Sequence, residues 1–242
     1  MSDWLDPLRR TLDTDRRVTF FFRDDDAGWR DDLLLRLLAV FDRVGVPLDL
    51  AVIPSALGRP LAHELSARGA STGLHQHGFA HVNHEREERK CEFGPARDEA
   101  AQRADIERGR RRLEELLETE LDPIFTPPWN RCTHATGSAL VAAGFRVLSR
   151  ESRAAPLGLD GLDELSVDLD WFAHRKGTRL TRVELGEALA ACARRSPTVG
   201  VMLHHAVSED DDLRELARLL ELLQSEPAVR LARMTELVRT GA

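Results

Sequence analysis

Apolar runs of strand length alternate with amphipathic, helix-length stretches along most of this chain, and polar or turn-forming residues cut each strand-like run off. The first run, Val18 to Phe22, stops at Arg23-Asp24-Asp25-Asp26. A helical pattern over Asp31 to Val44 follows, and Gly45 ends it. The unit recurs as a strand over Leu48 to Ile53 closed by Pro54, a helix over Leu61 to Arg68 ending at Gly69, and a short strand over Ser71 to His75. A polar stretch, Gln76 to Pro95, then precedes a long charged helix over Arg97 to Leu121; connections of that length in compact domains usually carry function. Further strands are predicted at Ile124 to Thr126, Phe145 to Leu148, Leu165 to Val167 and Thr198 to Leu203. Helices are predicted at Ala135 to Ala143, Arg182 to Arg194 and Asp210 to Leu223, with a connecting loop over Arg153 to Asp163 and a short strand and helix after Val229. Alternating β and α elements predict a parallel sheet, closed or nearly closed, with right-handed crossovers. No repeat or linker divides the chain, so one α/β barrel domain over residues 1–242 is expected.

With 242 residues and 42% hydrophobic content the chain can bury one substantial core. A net charge of −7 gives no electrostatic reason to seek a phosphate backbone or an anionic lipid surface, so neither nucleic acid nor membrane is expected as a partner. Arginines between Arg97 and Glu120 are interleaved with acids, the pattern of a solvated helix face. Cys91, Cys132 and Cys192 are odd in number and widely spaced, which speaks against a disulfide framework and for a reducing compartment. The stretch Met1 to Pro7 carries no basic-then-apolar signal and no later segment is long and apolar enough to span a bilayer, so a cytoplasmic location is expected.

Four polar clusters stand where strand-like runs stop, and carboxylates and imidazoles delivered from separate strand ends are what a barrel enzyme uses to hold a metal and activate water. Three consecutive acids after Phe20-Phe21-Phe22 are costly to bury without a cation nearby, although they also read as an acidic cluster ahead of a helix. His77 and His81 are four apart, with His75 two before His77, and such imidazoles can converge on one divalent ion or simply decorate a surface loop. Pro127-Pro128-Trp129 fixes the backbone, either as a rigid turn or as a device that aims an N–H at a developing oxyanion. His204 and His205 end the run Val199 to Leu203, and strand alternation lets only one of them face a barrel mouth.

In this order the clusters resemble the motifs of the polysaccharide deacetylase family, the NodB-homology group also called carbohydrate esterase family four, over Val18 to His205. The resemblance implies a deformed (β/α) barrel of seven or so parallel strands. Asp25-Asp26, with Gly28 two further on, is similar to the family's aspartate pair, which would make Asp25 the general base and Asp26 a metal ligand; pairing Asp24 with Asp25 would exchange the roles. His77-Gly78-Phe79-Ala80-His81 matches the family's His-x-x-x-His, so His77 and His81 would complete a site for a divalent ion, zinc first, with cobalt, nickel or manganese as alternatives. By the same resemblance the Trp129 N–H is the oxyanion donor, with Pro128 beside the substrate. The family's arginine ahead of this motif is missing from Ile124 to Trp129, so either Arg23 or Arg131 steadies the base or its pKa is set otherwise, Arg23 being also a candidate substrate contact.

Val167 to Trp171 resembles the fourth motif, one residue shorter than usual, with Asp170 on the substrate side and Trp171 as an apolar wall for the acyl group. Met202-Leu203-His204 matches the fifth, which makes His204 the general acid. The implied activity is metal-dependent removal of an N-acetyl or other acyl group from a sugar. A cytoplasmic location would favour a small or conjugated acylated sugar, with His84, Glu85, Lys90 and Glu92 of the long loop either shaping selection or packing as a solvated loop. The alternatives are a relative that acts on a formyl or cyclic amide, and a non-catalytic carbohydrate-binding barrel, for which the missing arginine speaks.

Overall fold

The computed structural model describes residues 3–87 and 89–238. The elements run α1 (Asp6–Leu12), β1 (Val18–Ala27), α2 (Asp31–Val44), β2 (Leu48–Val52), α3 (Arg59–Ser66), β3 (Thr72–His77), α4 (Glu99–Leu117), β4 (Ile124–Thr126), α5 (His134–Ala142) and β5 (Val147–Leu148). They continue with β6 (Asp163–Glu164), β7 (Leu169–Asp170), a hairpin of β8 (His174–Arg175) and β9 (Thr178–Arg179), α6 (Arg182–Arg195), β10 (Thr198–Leu203), α7 (Asp210–Ser225) and β11 (Val229–Leu231). The main sheet is parallel in the order β6-β5-β4-β3-β2-β1-β10-β7, and β11 pairs with the start of β1.

The two ends of that order belong to one extended stretch. β6 pairs with β5, and the N–H groups of Leu165 and Val167 go on to donate to Leu148 and Arg150; from Asp168, whose N–H donates to Gly200, the same stretch pairs with β10. Residues 163–170 thus close the sheet into a deformed barrel of seven parallel strands. The expected strand at Leu165 to Val167 is the middle of this closing segment, where the partner changes from β5 to β10.

Strand alternation sets what the barrel contains. Phe20 and Phe22 face the helical layer, while Phe21 faces inward and packs with Ile124, Val147, Val167, Met202 and Met234. Gly200 makes room for this layer, since a Cβ there would lie 2.3 Å from the Phe21 ring. Below it the chain beyond β11 seals the base: Arg233 bridges Asp49 and Asp122, and the Met234 N–H donates to Asp49 at 2.9 Å. Above it the interior turns polar, with Arg23, His75, Thr126 and Ser149, all buried.

Helix α1 has no counterpart in the periodicity reading. Its Leu8 and Leu12, with Trp4 and Leu5 before them, are buried and pack on α6, where Gly186 lets the Trp4 carbonyl approach. Helix α4 begins two residues later than Arg97, because the Asp98 side chain accepts from the Ala101 N–H at 2.8 Å and caps it. No helix among the described residues is long and apolar enough to cross a membrane.

Candidate functional site

The acid triplet sorts itself by strand parity. Arg23 and Asp25 face into the barrel and form a two-point pair, Arg23 Nε to Asp25 Oδ1 at 2.8 Å and Nη2 to Oδ2 at 2.9 Å, with both side chains buried. The same guanidinium donates to Ser149 Oγ and Asn130 Oδ1, each at 2.8 Å, so its plane is fixed from three strand ends. Asp24 faces the opposite way and meets His205. Simple alternation would send Asp26 after Asp24, but the register with β2 shifts between Asp24 and Ala27 and Asp26 takes φ 72°, an irregularity that turns its carboxylate back to the barrel mouth.

There Asp26 Oδ1 lies 3.2 Å from His77 Nε2 and 3.3 Å from His81 Nε2. Burial works against ionising Asp26, yet the His77 contact and the charges of His77, His81 and His204 hold its carboxyl down at about 2. His77 comes from the end of β3, and its Nδ1 meets the Thr126 carbonyl at 2.9 Å, which makes Nδ1 a protonated nitrogen and turns Nε2 toward Asp26. His81 sits on the loop beyond at φ 55°, and burial together with the charge of His77 lowers its proton affinity, which favours the neutral, ligating form.

That loop is clamped by Glu92, a buried carboxylate that accepts from the N–H groups of Phe79, Ala80 and His81 at 3.2, 2.7 and 3.2 Å. Gly78 is required beneath it, having φ 54° and no room for a Cβ between Glu92 and Pro128. The donor set suits a divalent cation: three ligand atoms within 4.8 Å of one another, two of them imidazole nitrogens, and a buried carboxylate oxygen, Asp26 Oδ1, with no hydrogen-bond partner. Tetrahedral ligands at zinc distances stand about 3.3 Å apart, close to the spacing between Asp26 and each imidazole. His75 lies one step deeper, against Thr126 Oγ1 at 2.9 Å. Burial and the charges of Arg23, His77 and Arg233 keep it well below the usual histidine range, outside the cluster.

His204 ends β10 on the same side, its Nδ1 3.7 Å from Asp170 Oδ1. Burial opposes its protonation, but Asp170, Asp25 and Asp26 outweigh that and raise it to about 9. Trp129 stands in a turn at φ 57°, its ring 4.3 Å from that of His81, and its N–H has no acceptor among the described residues.

Four expectations need correction. Trp171 does not face the mouth: Asp170 is aligned with the inward Met202, so Trp171 points outward, 2% exposed, with its ring 6.0 Å from that of Trp4. Phe172 is the aromatic nearer the site, 6.5 Å from the His204 ring. Arg131 is not at the base either, since it donates to the Lys90 carbonyl on the long loop. Arg23, fully buried on Asp25, is no substrate contact, and Pro128 is buried against the Gly78 turn. Burial raises all three cysteine thiols, Cys132 to about 12. Asn130, Ser149 and Trp29 touch the site without any signal in the sequence; Glu92 was visible only as one of the polar residues of the long loop, and His205 only as the partner of His204, facing away from the mouth.

No family model and no curated protein matches the chain. Solved structures do. A protein from Mycobacterium smegmatis assigned to the polysaccharide deacetylases superposes with a TM-score of 0.72 at 19% identity, over 93% of this chain and 90% of that one. PuuE allantoinase gives 0.68 at 14% identity, over 93% and 90%. A family 4 acetyl xylan esterase from Clostridium thermocellum, solved with a cobalt ion, gives 0.59 at 14% identity, over 90% and 89%. At such identities the likeness establishes the architecture, and this chain therefore carries the NodB-type barrel of the polysaccharide deacetylases and family four carbohydrate esterases.

Proposed function

We propose that this protein is a metal-dependent hydrolase that removes an N-acetyl or related acyl group from a small or conjugated sugar. The observation that carries the reading is the meeting, at one barrel mouth, of a ligand cluster (Asp26, His77, His81), an arginine-held carboxylate (Asp25) and a histidine beside a second carboxylate (His204 on Asp170). Asp26, His77 and His81 would hold the divalent ion, with zinc the first choice and cobalt, nickel or manganese the others. When bound, such an ion supplies Lewis acidity to the acyl oxygen and makes water beside it more acidic.

The remaining steps belong to the chain. Asp25, its carboxylate plane set by Arg23, accepts a proton from water as the water oxygen attacks the acyl carbon. The Trp129 N–H donates to the oxyanion that forms, a contribution of roughly 3 kcal/mol for a preorganised donor. His204 gives its proton to the amine nitrogen as the carbon–nitrogen bond breaks, so acid and base must hold opposite protonation states at working pH. Arg23 favours the catalytic reading over a non-catalytic barrel, because a guanidinium reaches Asp25 from two residues before it in place of one from the β4 turn.

The direct test is acetate release by zinc- or cobalt-loaded protein from a panel of N-acetyl sugars and sugar conjugates, beside a formyl amide and a cyclic amide. Release from the acetylated sugars is expected; stoichiometric metal with no cleavage of any amide would sink the reading. The pH profile adds a check on His204. Its proton affinity is raised in the fold, so the acid is competent below its pKa and activity is lost as pH rises through it. A bound dication offsets the charge of Asp26, and the basic limb of kcat/KM is therefore expected between the ordinary 6.5 and about 9. Asp170→Asn should move that limb down by roughly one pH unit; an unmoved limb would show that another group titrates there.

A further inference from the structure

The mechanism leaves unused the first acid of the triplet and the second histidine of the pair. Asp24 and His205 are both fully buried on the outer side of the barrel strands. His205 Nδ1 lies 2.6 Å from Asp24 Oδ2, its backbone N–H donates to Asp24 Oδ1 at 2.9 Å, and its Nε2 lies 2.6 Å from the Trp29 carbonyl. A carbonyl and an ionised carboxylate only accept, so both ring nitrogens carry protons and the pair is an imidazolium against a carboxylate. A buried ion pair is a poor source of stability compared with apolar packing. What this one fixes is the backbone of Trp29.

Trp29 is held from its other end as well. Its N–H donates to the Asp26 carbonyl at 3.1 Å, and the turn passes through Gly28 at φ 112°, packed against Ala56 and Leu57 too closely for a side chain to fit without strain. The Trp29 ring stands edge-on to the His81 ring at 4.9 Å, and the Trp129 ring contacts the same imidazole at 4.3 Å. Yet Trp29 is 39% exposed. An indole carried on a backbone whose N–H and carbonyl are both held, beside the ligand cluster and with open surface to solvent, is an apolar platform next to the site.

We propose that Trp29 is a stacking platform for the sugar ring that carries the scissile acyl group, and that Asp24 and His205 are positioning residues which hold it. The C–H face of a pyranose matches an aromatic surface, and stacking removes apolar area of both from water. The identity of the ligand rests on the hydrolase reading; the platform itself rests on the contacts above.

The test uses zinc-loaded full-length protein and two probes, an N-acetylglucosamine trimer as substrate and the glucosamine trimer, which has the same rings and is not consumed. Trp29→Ala is expected to weaken calorimetric binding of the glucosamine trimer about tenfold and to raise KM for the acetylated trimer with kcat within about twofold. Zinc affinity should be unchanged and Trp29→Phe should restore most of the loss. His205→Gln should weaken trimer binding in the same direction; should it fail to fold, the exposed Trp29 variants decide alone. Unaltered trimer binding in Trp29→Ala overturns the platform, as does a joint fall in zinc affinity and kcat, which would make Trp29 a cover for His81. No trimer binding by the wild type also overturns it. Trimer binding that depends on Trp29 without any acetate release would instead leave the platform standing and remove the hydrolase reading.

Discussion

Asp25→Asn is expected to lower kcat by about 10²- to 10⁴-fold while leaving a full equivalent of zinc bound. The amide keeps the size of the carboxylate but cannot take a proton from water, and Asp25 is not in the ligand cluster, so the loss should fall on turnover rather than on metal. The substitution also carries a structural cost that can be predicted. Arg23 meets both Asp25 oxygens through two N–H donors with almost no solvent access. An asparagine would present an NH₂ to one of those donors and leave the buried guanidinium without its counter-charge, a loss of roughly 3–5 kcal/mol for a broken buried pair. Thermal unfolding should therefore shift downward together with kcat, and zinc stoichiometry on the folded fraction separates the two effects. Turnover within a few-fold of wild type, in folded and zinc-replete protein, would remove Asp25 from the role of base.

The barrel was legible because its strands are apolar runs that stop abruptly. Val18 to Phe22, Leu48 to Ile53 and Thr198 to Leu203 all lie in or overlap β1, β2 and β10, the three adjacent strands at the heart of the sheet. The closing segment was less so: Leu165, Val167 and Leu169 alternate with polar residues as a strand would, but the backbone bonds of residues 163–170 go to two different neighbours, which a short alternating run does not announce. The convergence of Asp26, His77 and His81 follows from strand ends meeting at one rim. That Asp26 rather than Asp24 joins it depends on a register shift and a left-handed residue, which local composition does not encode. Parity explains the error at Trp171: in a segment one residue short of its motif, the facing of each side chain is fixed only by the neighbour, and Met202 puts Asp170 inside and Trp171 out. Arg23 was visible as a possible replacement for the missing arginine, but nothing in the sequence chose between it and Arg131, because the choice rests on inward alternation along β1.

Asp26→Ala is expected to reduce zinc affinity by at least about a hundredfold and to reduce acetate release in parallel. The cluster has one formal negative charge, on Asp26, and two imidazoles; without the carboxylate the ion would be left with neutral donors alone, in a site where the charge of a dication is poorly screened. Glu92→Gln should produce a smaller loss, about tenfold, since it touches no ion but holds the N–H groups of Phe79, Ala80 and His81 that aim the second imidazole. Protons compete for the same atoms, and the contact with Asp26 and the charges of Asp25 and Asp26 raise the proton affinity of His77 in spite of its burial. Wild-type zinc affinity should therefore begin to fall already above the ordinary histidine range as pH is lowered, with proton release on binding. Titration against a competing chelator across pH, for wild type and both variants, reads all three expectations. A full equivalent of zinc bound at unchanged affinity by Asp26→Ala would place the ion elsewhere in the molecule and take the hydrolytic mechanism with it.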